Sequence, residues 1–190
     1  TWYEITQKSA TASYISSVDD MREAMKTPNA KIVLTDDLVI NDDKGTGYAL
    51  YAKYDVTIDL NGKNLKVDLP DKVFNGIIYA LNGAKVNIVG DGNIEINGGM
   101  GPFIWCTGAN GATEVNIYGG NWTQNSEDFT TENSNYCEGI YANREGKINI
   151  YGGTFNWKNF EKYTLNESRE GVITVFGGTF INFDPSVSND

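Results

Sequence analysis

The side chains able to do acid–base, nucleophilic or metal chemistry are unevenly supplied in this chain. Histidine is absent, which removes the commonest general base and metal ligand near neutral pH. That excludes a Ser-His-Asp triad and a His-based zinc site. Carboxylates are plentiful, 25 against 15 Lys and Arg, for a net charge of −10. Hydrolysis of a glycosidic bond needs two of them facing each other across a gap of about 5–10 Å. Asp59, Glu95 and Glu114 do not share one outward column of neighbouring repeats, and Asp19-Asp20, Asp36-Asp37 and Asp42-Asp43 are merely adjacent in sequence. The stretch Gln124 to Glu138 carries Glu127, Asp128, Glu132 and Glu138. Hard oxygen ligands of this kind suit Ca²⁺, but no recognised ligand spacing is present, and the stretch reads as a solvated acidic loop.

Arg144 and Arg169 recur in Asn143-Arg144-Glu145-Gly146 and Ser168-Arg169-Glu170-Gly171. The recurrence predicts Arg and Glu pairing their charges across neighbouring turns rather than a proton-abstracting arginine. Cys137 falls about five residues before Ala142, the position that the repeat aligns with Cys106. Disulfide geometry tolerates little offset, so two free thiols are expected. The sequence assigns no catalytic residue, no metal site and no cofactor.

The residues that suggest contact with another molecule are aromatic. Tyr51, Tyr79, Trp105 and Tyr141 alternate with Leu50/Ala52, Ile78/Ala80, Ile104/Cys106 and Ile140/Ala142. With the flanking aliphatics inward, the four rings form an outward column across four repeats. Such a column serves as a binding surface for a sugar or another subunit, or is covered by its own loops. As a glycan platform it predicts that Trp105→Ala abolishes sugar retention while leaving thermal stability almost intact.

A repeat positions these columns. Val115-Asn116-Ile117-Tyr118-Gly119-Gly120 recurs as Ile148-Asn149-Ile150-Tyr151-Gly152-Gly153 and as Ile173-Thr174-Val175-Phe176-Gly177-Gly178, with looser copies at Val86–Gly90, Val56–Gly62 and Ile32–Leu34. From Leu34 through Ile58, Ile88, Ile117, Ile150 and Val175 the spacings are 24, 30, 29, 33 and 25 residues. Each copy lies between two further period-two segments, so a unit holds three short strands joined by Gly/Asn turns. That describes one coil of a β-solenoid, since nothing in the repeat runs at period 3.6. The middle strand points Val56, Val86, Val115, Ile148 and Ile173 inward, then Ile58, Ile88, Ile117, Ile150 and Val175, with Thr57, Asn87, Asn116, Asn149 and Thr174 outward between them. The Gly-Gly pairs mark corners that need positive φ or close packing on the next coil.

Ser17-Val18-Asp19-Asp20 reads as a capping box with Asp in place of Glu. Val18, Met21 and Met25 fall on one helix face and Thr27-Pro28 ends the helix. The predicted fold is all-β: a single-stranded right-handed parallel β-helix of about six coils, three strands per coil, with an N-terminal capping helix over 17–27. Residues 1–16 form an N-terminal extension and 17–190 the β-helix domain. No apolar run approaches the ~20 residues of a membrane span, and the start lacks the pattern of a signal peptide. The acidic balance repels phosphate backbones, so no nucleic-acid partner is expected.

The short helix, the IVLTDDLVI strand pair, VTIDLNGKNL and the INIYGGTF coils together resemble the pectin-lyase-like parallel β-helix superfamily over roughly residues 15–185. The pattern is similar to repeats in phage tail-spike or virion proteins and in gut-bacterial surface proteins. That resemblance implies polysaccharide cleavage, glycan adhesion or a purely structural duty. With no catalytic set in the residues, the expected role is a non-enzymatic structural or attachment component of a phage virion or surface fibre. Its partners would be other virion or surface proteins, including further copies of itself, with a polysaccharide as a further candidate. A polysaccharide lyase or glycoside hydrolase, and a bacterial glycan-binding adhesin module, are the alternatives.

Overall fold

A computed structural model describes residues 11–42, 44, 47–68, 76–97, 102–125, 139–157 and 164–186. The strands sort into three parallel sheets. The first contains β1 (Ala12–Ile15), β2 (Ala30–Leu34), β5 (Val56–Asp59), β8 (Lys85–Val89), β11 (Glu114–Ile117), β14 (Lys147–Ile150) and β17 (Val172–Val175), in that order. The second contains β4 (Tyr48–Ala52), β7 (Gly76–Ala80), β10 (Ile104–Thr107), β13 (Ile140–Asn143) and β16 (Leu165–Ser168). The third contains β3 (Leu38–Ile40), β6 (Asn64–Asp68), β9 (Asn93–Asn97), β12 (Asn121–Gln124), β15 (Thr154–Trp157) and β18 (Thr179–Ile181). Each strand pairs with its counterpart one repeat away, which is a parallel β-solenoid with three strands to a turn. Between β4 and β16 the chain returns to the same face four times, so the solenoid makes about four turns. This is fewer than the six coils counted from the repeat, because the second sheet begins only at β4. In chain order, α1 (Val18–Ala24) stands where an earlier strand of that sheet would fall. β1 lies within the residues that the sequence sets apart as an extension, and pairs with β2 from Ala12↔Lys31 to Ile15↔Leu34.

Period-two alternation fixes the register. Val56, Val86, Val115 and Ile148 align in one column and Ile58, Ile88, Ile117 and Ile150 in the next, all of them buried. A slip of one residue would turn every one of them outward. The columns end less tightly at β17, whose outer edge no described strand covers. There Ile173 is only partly buried and Val175 is 36% exposed. On the third face the inward residues change from Leu65/Val67 and Ile94/Ile96 to Trp122, Phe155 and Trp157, so larger side chains fill the later turns. Trp122, Phe155 and Phe180 stack inside, with centroids 5.8 and 5.2 Å apart.

The Gly-Gly corners divide two requirements between two residues. The second glycine has positive φ, +90° at Gly120, +108° at Gly153 and +121° at Gly178. The first lies against the previous turn: a Cβ at Gly152 would stand 2.7 Å from the carbonyl oxygen of Tyr118, and one at Gly177 2.8 Å from that of Tyr151.

Helix α1 starts where the capping box places it. Ser17 is extended at φ −140° and its Oγ accepts the Asp20 N–H at 3.2 Å. Met21 and Met25 are buried in the common core and Val18 packs against it. The helix ends at Ala24, three residues before the predicted boundary, with Met25 as its C-cap.

Candidate functional site

The second sheet aligns the predicted aromatic residues. Tyr51 pairs with Tyr79, Tyr79 with Trp105 and Trp105 with Tyr141. Ring centroids along this column lie 5.3, 4.6 and 5.6 Å apart. Every ring is half-buried, because the alternation that sends Leu50, Ile78, Ile104 and Ile140 into the core sends these side chains outward. A fifth ring, unforeseen from the sequence, widens the column into a strip. Tyr48, at the start of β4, stacks on Tyr79 at 5.0 Å and meets Tyr51 and Trp105 at 6.0 and 5.7 Å. Its three-residue offset from Tyr51 hides it from a search for repeat positions.

Polar groups close one end of the strip. Tyr141 pairs with Asn166, so the next turn offers an amide instead of a ring. The Tyr141 hydroxyl shares a 2.8 Å hydrogen bond with Ser168 Oγ and accepts one from Asn143 Nδ2 at 3.1 Å. At the other end Lys53 Nζ lies 5.7 Å from the Tyr51 ring centroid, within cation–π range. Burial, then the nearby Tyr51, raise the Tyr79 hydroxyl above the usual phenol range, so it stays protonated and can donate a hydrogen bond. Trp105 Nε1 is buried without a hydrogen-bond partner among the described residues.

The packing overturns one sequence expectation. Trp105 touches Tyr48, Tyr79 and Tyr141, and aromatic pairs contribute roughly 0.5–1.5 kcal/mol each beyond area burial. Trp105→Ala therefore costs stability as well as surface.

A second aromatic ladder follows directly from the repeat. The residue before each Gly-Gly pair is Tyr118, Tyr151 or Phe176. These rings stack almost parallel, at 7° and 6°, with centroids 4.9 and 4.8 Å apart. They are 50%, 42% and 63% exposed. That spacing is the rise between strands, so the rings cover one another's faces and meet solvent with their edges. The strip on the second sheet differs. Its neighbouring rings are inclined by 28° to 88°, so it is a less regular stack than the ladder.

Glu114 is occupied structurally. It stands between Lys85 and Lys147 on neighbouring strands, 3.3 Å from Lys85 Nζ, and accepts a 2.8 Å hydrogen bond from Asn116 Nδ2. That amide first, then Lys85, hold its carboxyl below the usual range, the opposite of what a general acid needs. Asp59 and Glu95 lie on different sheets. No group of three Cys, Asp or Glu able to hold a metal occurs among the described residues. Glu127, Asp128, Glu132, Glu138 and Cys137 lie outside them.

Arg144-Glu145 and Arg169-Glu170 occupy equivalent turns, with φ of 49° and 66°, then 47° and 66°. All four side chains are exposed, and no ion pair within 4.0 Å joins them among the described residues, contrary to the predicted pairing. The left-handed backbone of each two-residue turn leaves them in solvent, where an ion pair gains little.

No family model, curated protein or solved structure matches the chain.

Proposed function

We propose that this protein is a non-enzymatic attachment component, a stiff right-handed β-solenoid of a virion or surface fibre that contacts glycans through the aromatic strip. The observation that carries the reading is five inclined rings, Tyr48, Tyr51, Tyr79, Trp105 and Tyr141, held side by side on one regular sheet. Rings on a regular backbone lose little entropy on binding and offer apolar faces with polar edges, which suits the alternating faces of sugar rings. The right hand follows from the near-universal handedness of parallel crossovers. In this reading α1 caps the first end of the core. The sequence resemblance to tail-spike and surface-protein repeats supports the setting.

The test is retention on an immobilised oligosaccharide panel, together with an assay for reducing ends or unsaturated products. Retention without product release is expected. Trp105→Ala, measured well below its own melting temperature, should lose retention; Trp105→Phe should keep the fold and part of the binding. Product release would overturn the non-enzymatic reading, and no retention on any glycan would overturn the glycan contact.

A further inference from the structure

A cleft opens at the Tyr51 end of the strip, between α1 and β4. Its volume is about 230 Å³, below the ~300–1,000 Å³ of sites for drug-sized ligands and suited to one six-membered ring with its substituents. Tyr48, Tyr51 and Tyr54 give it aromatic walls, and Lys26, Lys44 and Lys53 stand around them. Arg22 lines it too, but its guanidinium is spent on the fold. It pairs with Asp42 at 2.7 Å and donates to the backbone oxygens of Asp42 and Ala49.

The charge in this cleft runs against the rest of the molecule. The chain carries −10, yet among the described residues four cationic side chains and no carboxylate line the cleft. The lysines are available. Lys53 has no ion pair among the described residues and sits over the Tyr51 ring. Lys26 reaches only Glu23, both side chains more than 70% exposed. Lys44 reaches Asp42, with the two side chains 60% and 46% exposed. Exposed pairs of this kind hold about 0–1 kcal/mol, so an incoming anion can displace them. An apolar ring wall beside a cationic rim recognises a ring that carries one negative charge.

We propose that this cleft binds the carboxylate-bearing ring of an acidic sugar, with Lys53 and Lys26 receiving the carboxylate and Tyr51 and Tyr54 packing against the ring. The inference rests on the glycan-contact reading above and narrows it: the strip binds successive sugars of a chain, and the cleft selects an acidic residue at one end.

The experiment is a calorimetric titration of the protein with D-glucuronate and N-acetylneuraminate, each beside its neutral methyl ester, in low and in 0.5 M salt. Wild type is compared with a Lys26→Gln/Lys53→Gln double variant. Both lysines are exposed, so the melting temperature should not move. An exposed charge contact is worth up to about fivefold in affinity. With two such contacts, the free acid should bind several-fold, and up to about 25-fold, more tightly than its ester at low salt, and lose that preference in 0.5 M salt or in the double variant. Equal binding of acid and ester, undiminished binding by the double variant, or no binding of either acid would overturn the proposal. Neutral oligosaccharide retention, measured alongside, separates the two readings. Where it persists without acid preference, only the cleft proposal falls; where neither class of sugar is held, both fall.

Discussion

Cys106 shows how one position in a repeat can take on chemistry and then have it suppressed. Its register partners are Ala80 and Ala142, so the position demands a small inward side chain, and a thiol meets that demand as a slightly larger one. The sulfur is buried, 3.4 Å from the carbonyl oxygen of Lys147 and 3.6 Å from that of Thr113. Burial pushes the thiol up to about 12, so almost none is thiolate at neutral pH, and the thiolate is the reactive form. In a Cys137→Ser background, the remaining thiol should resist an aromatic disulfide reagent at pH 8 for hours and react fully within minutes in 6 M guanidinium. Rapid modification of the native protein would show that this face opens readily. The same position in the next turn is Glu167, whose carboxylate accepts the Ile173 N–H. The interior column thus ends on a charged residue that takes up a backbone donor.

At the scale of the strand and its column, identical chemistry occurs at two depths. Asn149 Nδ2 donates to Asn116 Oδ1 at 2.9 Å and Asn116 Nδ2 to Asn87 Oδ1 at 3.1 Å. On another face Asn121 donates to Asn93 at 3.1 Å and Asn93 to Asn64 at 2.6 Å. Asn116 is 2% exposed, whereas Asn93 is exposed to solvent. Removing a buried partner leaves unsatisfied groups, at about 1–3 kcal/mol, while water replaces an exposed one. Asn116→Ala should therefore lower the denaturant midpoint by the equivalent of about 2 kcal/mol, and Asn93→Ala by about 0.5 kcal/mol or less. Equal effects would mean that the ladders act through packing alone. These columns were legible in the sequence because a solenoid stacks residue on like residue, so alternation and recurrence together specify face and neighbour. The Arg-Glu turns depart from the expected pairing because recurrence gives proximity but not side-chain direction. Tyr48 and the cleft were not legible at all, since α1 meets β4 only through tertiary packing and carries no repeat.

For the molecule as a whole, the same turns tie stability to pH. Asp37 accepts hydrogen bonds from the backbone N and Nδ2 of Asn64 at 2.8 and 2.9 Å, and these hold its carboxyl below the ordinary 3.8. Asp42 is lowered first by Lys44, Glu114 first by Asn116 and Asp184 first by Ser186. In each case the folded chain binds the proton less readily than the unfolded chain. The stability these groups contribute is complete above their unfolded values, near pH 4, and is lost as pH falls through the lower folded values. The charge of −10 pulls the other way down to the pI near 4.5, since acidification over that range relieves self-repulsion. That repulsion is spread over exposed charges and is largely screened beyond about 8 Å at 0.15 M salt, whereas hydrogen bonds below 3 Å are not. At 0.15 M salt the melting temperature should stay nearly level from pH 7 to 5 and drop below about pH 4. Asp37→Asn with Glu114→Gln should make that drop shallower. At 10 mM salt, where charges are screened only beyond about 30 Å, a rise from pH 7 to 5 should precede it. Net charge alone would give a melting-temperature maximum near the pI of about 4.5, so such a maximum at 0.15 M salt, or a drop below pH 4 left unchanged by the double substitution, would place the control in net charge rather than in these hydrogen-bonded carboxylates.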